Sequence, residues 1–260
     1  MNNSEKRKEH MRNIYSKHWS KTRKRMGVEQ YDKDLIHELS KKVKNGKILE
    51  VAIGDGFPYS NALDEMGYEV YGIDISPTHV DMVKKSLPKI NVKVGDSEDL
   101  EFTDNFFDVV FCFRSTWYFT NLIKSISEML RVVKNDGLVV FDIQNSNHPI
   151  HVKFMKEQLR RKNHYIYEIT IRLIKNLIKL IIRPIKFFPI QWSFKKHIIV
   201  GIPTDPSLIN LYLSKENNIN YQVYGVNWGD SFTLTEINKT TDHDQFDRLV
   251  YMISKKESQK

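Results

Sequence analysis

Apolar runs of strand length alternate with helix-like segments between residues 47 and 144, and this alternation is the feature that most constrains the fold. Strands that alternate with helices of about ten residues predict βαβ units and a parallel sheet. The runs are almost continuously apolar, as expected when helices cover both faces of the sheet. The predicted strands are KILEVAI, EVYGIDI, INVKVGD, DVVFCF and GLVVFDI, and the predicted helices are SNALDEMG, HVDMVKKSL and LIKSISEMLRVV.

Residues 201–260 follow a different pattern. TDPSLINLYLSKENN predicts a helix with Thr204 or Asp205 as its N-cap. NINYQVYGVNW and FDRLVYMISKK then predict an antiparallel hairpin at the edge of the sheet. The predicted fold class is therefore α/β, with a Rossmann-like, doubly wound, mostly parallel sheet and a C-terminal antiparallel hairpin. N-terminal helices and a helical insertion after the fifth strand complete this prediction.

Cysteine content and hydropathy exclude several classes of protein. Cys112 is the only cysteine, which excludes a disulfide framework and a cysteine-rich zinc site, and we predict no metal site. The chain opens on MNNSEKRKEHMRN, which is polar rather than signal-like, and it holds no apolar run of 18 residues. We expect a cytoplasmic protein, with a peripheral place at the inner face of the membrane as an open alternative.

The net charge of +8 is concentrated in two segments. Residues 1–25 hold nine Lys or Arg against two Glu, and residues 151–200 hold twelve against two. The second segment contains YEITIRLIKNLIKLIIRPIKFF, which predicts a basic amphipathic helix ended by Pro184. Two interpretations remain open: a helix that packs on the domain as a lid, and an anchor on anionic lipid.

The stretch ILEVAIGDGFPYS, residues 48–60, places Glu50, Gly54 and Gly56 at the end of the first strand. Glycines permit a turn with positive φ and a close approach of a ligand to the backbone. A dinucleotide fingerprint needs a third glycine where this chain has Tyr59. A bound pyrophosphate is therefore disfavoured.

Acidic residues follow the next two strands. Asp74 ends the second strand, where a carboxylate accepts hydrogen bonds from ribose hydroxyls, and Asp96 follows the third, where it accepts from an exocyclic amine. Acidic strand ends beside a glycine turn favour a nucleoside without phosphate. A cationic sulfonium tolerates such carboxylates better than a pyrophosphate does.

These motifs resemble those of class I S-adenosylmethionine-dependent methyltransferases of the large type 11 group over roughly residues 45–145. The first family motif, Glu/Asp-x-Gly-x-Gly-x-Gly, is similar to the stretch from Glu50 to Gly56, with Ala52 in place of the first glycine. GDSEDL resembles the adenine-binding stretch, FDVVFCFRSTWYF the fourth motif, and LRVVKNDGLVVFDI the helix, turn and fifth strand that follow.

The resemblance implies S-adenosylmethionine as cofactor and a set of site residues. The expected cofactor-binding residues are Tyr15 and Trp19 on an N-terminal lid helix, with Glu50, Ala52, Gly54, Gly56, Asp74, Ile75, Asp96, Ser97 and Arg114. Trp117 and Tyr118 are expected to face the substrate. His148, just past the fifth strand, is the candidate general base for a hydroxyl acceptor.

We predict a single domain over residues 1–260 that methylates O or N of a small or lipid-linked acceptor, with a sugar preferred. Its expected parts are a helical lid (1–45), a cofactor-binding core (46–145), a basic insertion that caps the acceptor (146–200), and the final helix and hairpin (201–260). A nicotinamide-dependent oxidoreductase is one alternative. A catalytically silent module that binds RNA or membrane through the basic segments is the other. The place of the Asn/Asp-Pro-Pro-Tyr/Phe motif of many DNA adenine methylases reads FRSTWYF, so sequence-specific nucleic acid is disfavoured.

Overall fold

The computed structural model describes residues 4–12, 28–161, 170, 171, 174, 201–227, 234–237 and 243–256 of the chain. The helices are α1 (residues 4–12), α2 (Gln30–Lys42), α3 (Tyr59–Glu65), α4 (Pro77–Ser86), α5 (Leu122–Val132), α6 (described over residues 149–161) and α7 (Pro206–Leu213). The strands are β1 (Lys47–Val51), β2 (Glu69–Asp74), β3 (Asn91–Val94), β4 (Phe107–Cys112), β5 (Val133–Gln144), β6 (Ile219–Val226), β7 (Thr235–Glu236) and β8 (Arg248–Lys255).

The eight strands of the described residues form one sheet in the order β3-β2-β1-β4-β5-β8-β6-β7. β1 to β5 are parallel, whereas β8 pairs antiparallel with both β5 and β6. The strand order reverses between β1 and β4, because the chain moves outward to β3 before it returns to β4. In open α/β sheets, ligands bind beyond the carboxyl ends of the strands at such a switch point.

Two apolar clusters cover the two faces of the sheet. Successive side chains of β1 alternate between them, since Ile48 packs in one cluster and Leu49 in the other. The cluster around Leu49 includes buried side chains of α5 and α7, and the cluster around Ile48 includes those of α2, α3 and α4. Helices therefore cover both faces, and the doubly wound architecture predicted from the sequence is confirmed.

Local signals position the helices that follow the strands. Asn121 caps α5 by accepting a hydrogen bond from the Lys124 amide, and Asp205 caps α7 by accepting from the Ser207 amide. Pro77 opens α4 directly after β2, where a missing N–H costs nothing. Capping side chains and Pro77 thus fix the residues at which these helices begin.

The C-terminal strands confirm the antiparallel hairpin and add a detail of strand order. β8, the last strand, lies inside the sheet between β5 and β6, and the two-residue β7 forms the edge. The first six residues of β8 are all buried, as expected for an interior strand. The predicted basic helix around Leu173 and Leu177 lies outside the described residues, as do Tyr15 and Trp19.

Candidate functional site

A pocket with about 960 Å³ of open space lies beyond the carboxyl ends of β1 to β4. Each of the four strands is followed by a loop that lines it, and α1 covers part of it. The lining residues that carry the argument below are Lys8, Glu50, Gly54, Asp74, His79, Asp96, Glu98, Arg114 and Tyr118.

The turn after β1 has the backbone that the glycine motif predicts. Gly54 and Gly56 have φ values of 60° and 80°, in the region that favours glycine. Ala52 shares this conformation with a φ of 61°, although its side chain disfavours it. The turn therefore keeps its glycine-like geometry where the sequence departs from the family motif.

We expect Ala52→Gly to raise the free energy of unfolding by about 0.5–1 kcal/mol. Relief of the left-handed conformation is worth about 1–2 kcal/mol, and the added backbone freedom of glycine offsets part of it. Ala62→Gly within α3 is the control, which should lower stability by about 1 kcal/mol. Urea unfolding followed by circular dichroism measures both changes. Equal destabilisation by the two variants would contradict the expected relief of strain.

Asp74 connects the end of β2 to the glycine turn. Its Oδ2 accepts from the Gly54 amide at 2.9 Å, and its Oδ1 accepts from the Ser76 amide at 2.8 Å. The His79 Nδ1 lies 3.3 Å from Oδ1. A carboxylate offers about four acceptor positions, so this buried group retains capacity toward the pocket. The arrangement suits recognition of the ribose hydroxyls.

Asp96 and Ser97 follow β3 and line the same pocket, and Ile75 lines it after β2. The Asp96 Oδ1 accepts from the Glu98 amide at 3.0 Å, and its Oδ2 accepts from the Lys8 ammonium at 2.7 Å. The hydroxyls of Ser97 and Ser125 lie 2.9 Å apart. The acidic group at the end of β3 is thus held in a fixed orientation.

Lys8 lies on α1 and lines the pocket, which the sequence motifs did not indicate. Its ammonium lies 3.0 Å from Glu98 Oε2, in addition to its contact with Asp96. Burial acts to lower the pKa of Lys8, but the hydrogen bonds to the two carboxylates outweigh it and raise that pKa. The ammonium therefore stays charged between them at neutral pH.

Glu50 ends β1 with its side chain in the pocket wall and is 4% exposed. Its Oε2 accepts a hydrogen bond from the Ser60 hydroxyl of α3. Glu50 thus presents a carboxyl group close to the glycine turn. A carboxyl group suits a cationic or hydrogen-bond-donating ligand group better than a phosphate.

Arg114 lies just past β4 and lines the pocket, but its charge is already engaged. The guanidinium lies 2.7 Å from Glu29 and 2.9 Å from Asp32 at the start of α2. The Arg114 amide donates to the buried carboxylate of Asp142 at 2.8 Å. The same carboxylate pairs with Arg248 at 2.8 Å. Charge pairs from α2, β5 and β8 thus hold the loop after β4.

Of the remaining predicted residues, some line the pocket in the structure and others do not. Tyr118 lines the pocket, whereas Trp117 is not among its described lining residues and is buried against Arg248, whose guanidinium lies 5.1 Å from its ring. His148 lies on the loop before α6 and is also not among them. Its ring lies 6.2 Å from that of His151. The structure therefore brings Tyr118 to the pocket, and does not bring His148 there.

His79 is a pocket residue that the sequence motifs did not indicate. It is 4% exposed and lies in the first turn of α4, five positions after Asp74. The first turn of a helix that follows a strand lies beside that strand's end, so this spacing could have indicated the contact. Lys8 offered no such signal, because its contact with Asp96 joins residues 88 positions apart.

Comparison with known proteins identifies the stretch of the chain that forms most of this pocket. The family model of the methyltransferase domain matches residues 49–141. This stretch is similar to known methyltransferase domains. It contains the glycine turn and the acidic strand ends described above, so the family predicted from the sequence motifs is confirmed for this region.

Curated relatives match over the same part of the chain. A demethylmenaquinone methyltransferase from Chlorobaculum parvum is 29% identical over 43% of this chain and 48% of the relative. A phthiotriol/phenolphthiotriol dimycocerosates methyltransferase from Mycobacterium leprae is 30% identical over 44% of each chain. The chain thus spans about half the length of the curated relatives that it matches.

A solved structure supports the fold of the described residues. A SAM-dependent methyltransferase from Thermotoga maritima superposes with a TM-score of 0.61, at 12% sequence identity, and covers 94% of this chain and 99% of its own. At this identity the likeness concerns the fold alone. It confirms the Rossmann-like class predicted from the alternating segments.

S-adenosylmethionine is the cofactor implied for such a domain, and the residues of the pocket fit it. Asp74 would hold the ribose, Asp96 the adenine amine, and Glu50 with the glycine turn the methionine portion. Lys8 and Arg114, the permanently charged cations among the described lining residues, each pair with two carboxylates. The pocket is therefore suited to a nucleoside sulfonium rather than to a pyrophosphate.

Proposed function

We propose that the chain transfers a methyl group from S-adenosylmethionine to an oxygen or nitrogen of a small or lipid-linked acceptor. The convergence of the Glu50, Asp74 and Asp96 carboxylates on one pocket beside the glycine turn carries this proposal. The same feature disfavours a nicotinamide dinucleotide, whose pyrophosphate would meet these charges. The bound cofactor supplies an activated methyl group, so the protein's main task is to align donor and acceptor.

The class of acceptor is supported by the pocket lining and by the relatives. Phe57, Tyr118 and Phe119 line the pocket, and Phe57 is 38% exposed, so the pocket offers aromatic surface to an incoming molecule. The names of two relatives, demethylmenaquinone and phthiotriol dimycocerosates methyltransferases, specify acceptors that we take as models for this chain. We therefore favour an acceptor with an apolar or aromatic portion over a free sugar.

Transfer of a labelled methyl group tests this function. The chain is incubated with methyl-labelled S-adenosylmethionine and, in separate reactions, with quinol, phenolic-lipid, sugar-nucleotide and total lipid fractions. Each reaction mixture is then extracted with organic solvent. We expect label in the organic phase, dependent on the protein and lost in Asp74→Asn. Label that stays in the water-soluble fraction would contradict the lipid-linked class. No transfer to any fraction by protein that binds the cofactor would support the catalytically silent alternative.

We also propose that α6 contacts an anionic membrane, where a lipid-linked acceptor resides. Ile150 and Phe154, one helical turn apart, are 57% and 42% exposed. Lys153, Lys156 and Arg160 lie on the same helix, so apolar and basic side chains are offered together. Such a surface binds headgroups through its cations and the acyl boundary through its apolar groups. Among the described residues, no helix combines the length and apolar character needed to cross a bilayer.

We expect the chain to co-sediment with phosphatidylglycerol vesicles and not with phosphatidylcholine vesicles. Phe154→Glu should reduce this binding severalfold, since it places a carboxylate at the apolar surface. Leu208→Glu is the control, because Leu208 is an equally apolar side chain, 58% exposed, on α7. Equal loss in both variants, or no binding by the wild type, would remove α6 as the contact surface.

A further inference from the structure

Helix α1 reaches the pocket through two buried side chains. Lys8 and Met11 both line it, and they are 9% and 7% exposed. The Arg7 guanidinium adds a hydrogen bond to the Trp117 carbonyl at 3.3 Å. The helix is therefore held against the loops that follow β3 and β4, although it lies outside the matched residues 49–141.

The Lys8 ammonium occupies the position of a hydrogen-bond donor to Asp96. It donates to Oδ2 at 2.7 Å, while the other oxygen, Oδ1, accepts from the Glu98 amide. Under the proposed function, the adenine amine donates to this same carboxylate from inside the pocket. The Lys8 ammonium and the adenine amine of a ligand would thus both donate to the Asp96 carboxylate.

Glu98 gives Lys8 a second partner that does not depend on Asp96. Its Oε2 lies 3.0 Å from the ammonium, while its Oε1 accepts from the Thr120 hydroxyl and from the Asn121 amide at 2.9 Å. The carboxylate is therefore fixed by the loop after β4. Lys8 therefore keeps this partner when Asp96 accepts a hydrogen bond from another donor.

We propose that Lys8 is a specificity-determining residue that stands in for the ligand's amine at Asp96. A 6-aminopurine nucleoside competes with the ammonium for the Asp96 carboxylate, and the ammonium then shifts toward its second partner, Glu98. A purine without the amino group leaves the Lys8–Asp96 pair intact. Lys8 thereby lowers the affinity of the pocket for adenine ligands. It also narrows the difference in affinity between purines with the 6-amino group and purines without it. This inference rests on the proposed function, because that function places adenine at Asp96.

Calorimetric titration of adenosine and of purine riboside, which lacks the 6-amino group, tests the proposal. Lys8→Met removes the ammonium and keeps the apolar stem. We expect the Lys8→Met variant to bind adenosine about 3–10-fold more tightly than the wild type. One charge-assisted hydrogen bond sets the size of this gain, and the loss of the Lys8 ion pairs offsets part of it. Purine riboside affinity should change by less than about twofold. Lys6→Met, an exposed position on the same helix, should match the wild type for both nucleosides.

A second variant is expected to change the adenosine affinity in the opposite direction. Lys8→Arg keeps the charge and can bridge two carboxylates with its planar fork, so adenosine should bind more weakly than to the wild type. Lys8→Arg also retains a cation between Asp96 and Glu98, so the proposal can still be tested if Lys8→Met fails to fold. An equal change for both nucleosides, or weaker adenosine binding by Lys8→Met, would overturn the inference and leave the cofactor site intact. Failure of every variant to bind either nucleoside or S-adenosylmethionine would instead overturn the proposed function, and this inference with it.

Discussion

We expect Arg248→Met to lower the free energy of unfolding by about 3–5 kcal/mol, because it leaves the buried Asp142 carboxylate without its charge partner. The two side chains are 6% and 0% exposed and lie 2.8 Å apart. Asp142 also accepts from the Tyr31 hydroxyl at 2.9 Å. Burial alone would lower the pKa of Arg248, but the Asp142 carboxylate outweighs it and the pKa is raised. The guanidinium is thus a fixed cation under the loop that lines the pocket.

Urea unfolding followed by circular dichroism measures this loss. Arg161→Met is the matched control, since Arg161 pairs with Glu157 at 2.8 Å on the surface of α6, where the side chains are 61% and 46% exposed. We expect the control to change stability by about 0.5 kcal/mol or less. A loss for Arg248→Met no larger than that of the control would show that the buried pair is dispensable.

The second large effect is expected for Asp74→Asn, which should weaken S-adenosylmethionine binding by about 100-fold. Two charge-assisted hydrogen bonds to the ribose are each worth about 1.5–3 kcal/mol, and the amide keeps only part of this. The new NH₂ group would also meet the Gly54 amide, or else the Ser76 amide, both of which now donate to the carboxylate. The loss of binding free energy therefore comes from the disturbed glycine turn as well as from the weakened contacts with the ribose.

Asp81→Asn provides the control, because Asp81 is an exposed carboxylate on the same helix that carries His79. It removes the same charge without touching the pocket. Calorimetric titration of the cofactor into both variants measures the difference, and circular dichroism verifies that both are folded. If Asp74→Asn bound within about threefold of Asp81→Asn, Asp74 would not be a ribose ligand.

The sequence was sufficient to predict the parts of the fold that depend on local pattern. The alternation of strands and helices predicted the parallel sheet, and acidic residues at strand ends predicted that Asp74 and Asp96 face one pocket. Strand order within the C-terminal hairpin was not predicted, because it depends on pairing between distant segments. The difference is visible in the burial of the two strands, because the first six residues of β8 are buried whereas β6 has three consecutive exposed residues.

Long-range charge pairs were the part of the site that the sequence could not provide. Arg114 was predicted to contact the cofactor and lines the pocket, but its pairing with Glu29, 85 positions earlier, was not predicted. Lys8 was one of nine cations in the first 25 residues, with nothing in its local pattern to single it out. Such contacts depend on how α1 and α2 pack over the strand ends, and packing is set by the whole fold rather than by spacing along the chain.

Calorimetric titration of S-adenosylmethionine and S-adenosylhomocysteine into the wild-type chain tests the proposed cofactor site most directly. We expect saturable binding of both, at one site per chain and in the micromolar range, with the sulfonium bound more tightly because Glu50 and Asp74 favour its charge. A chain that binds neither compound would contradict the assignment of this pocket to S-adenosylmethionine.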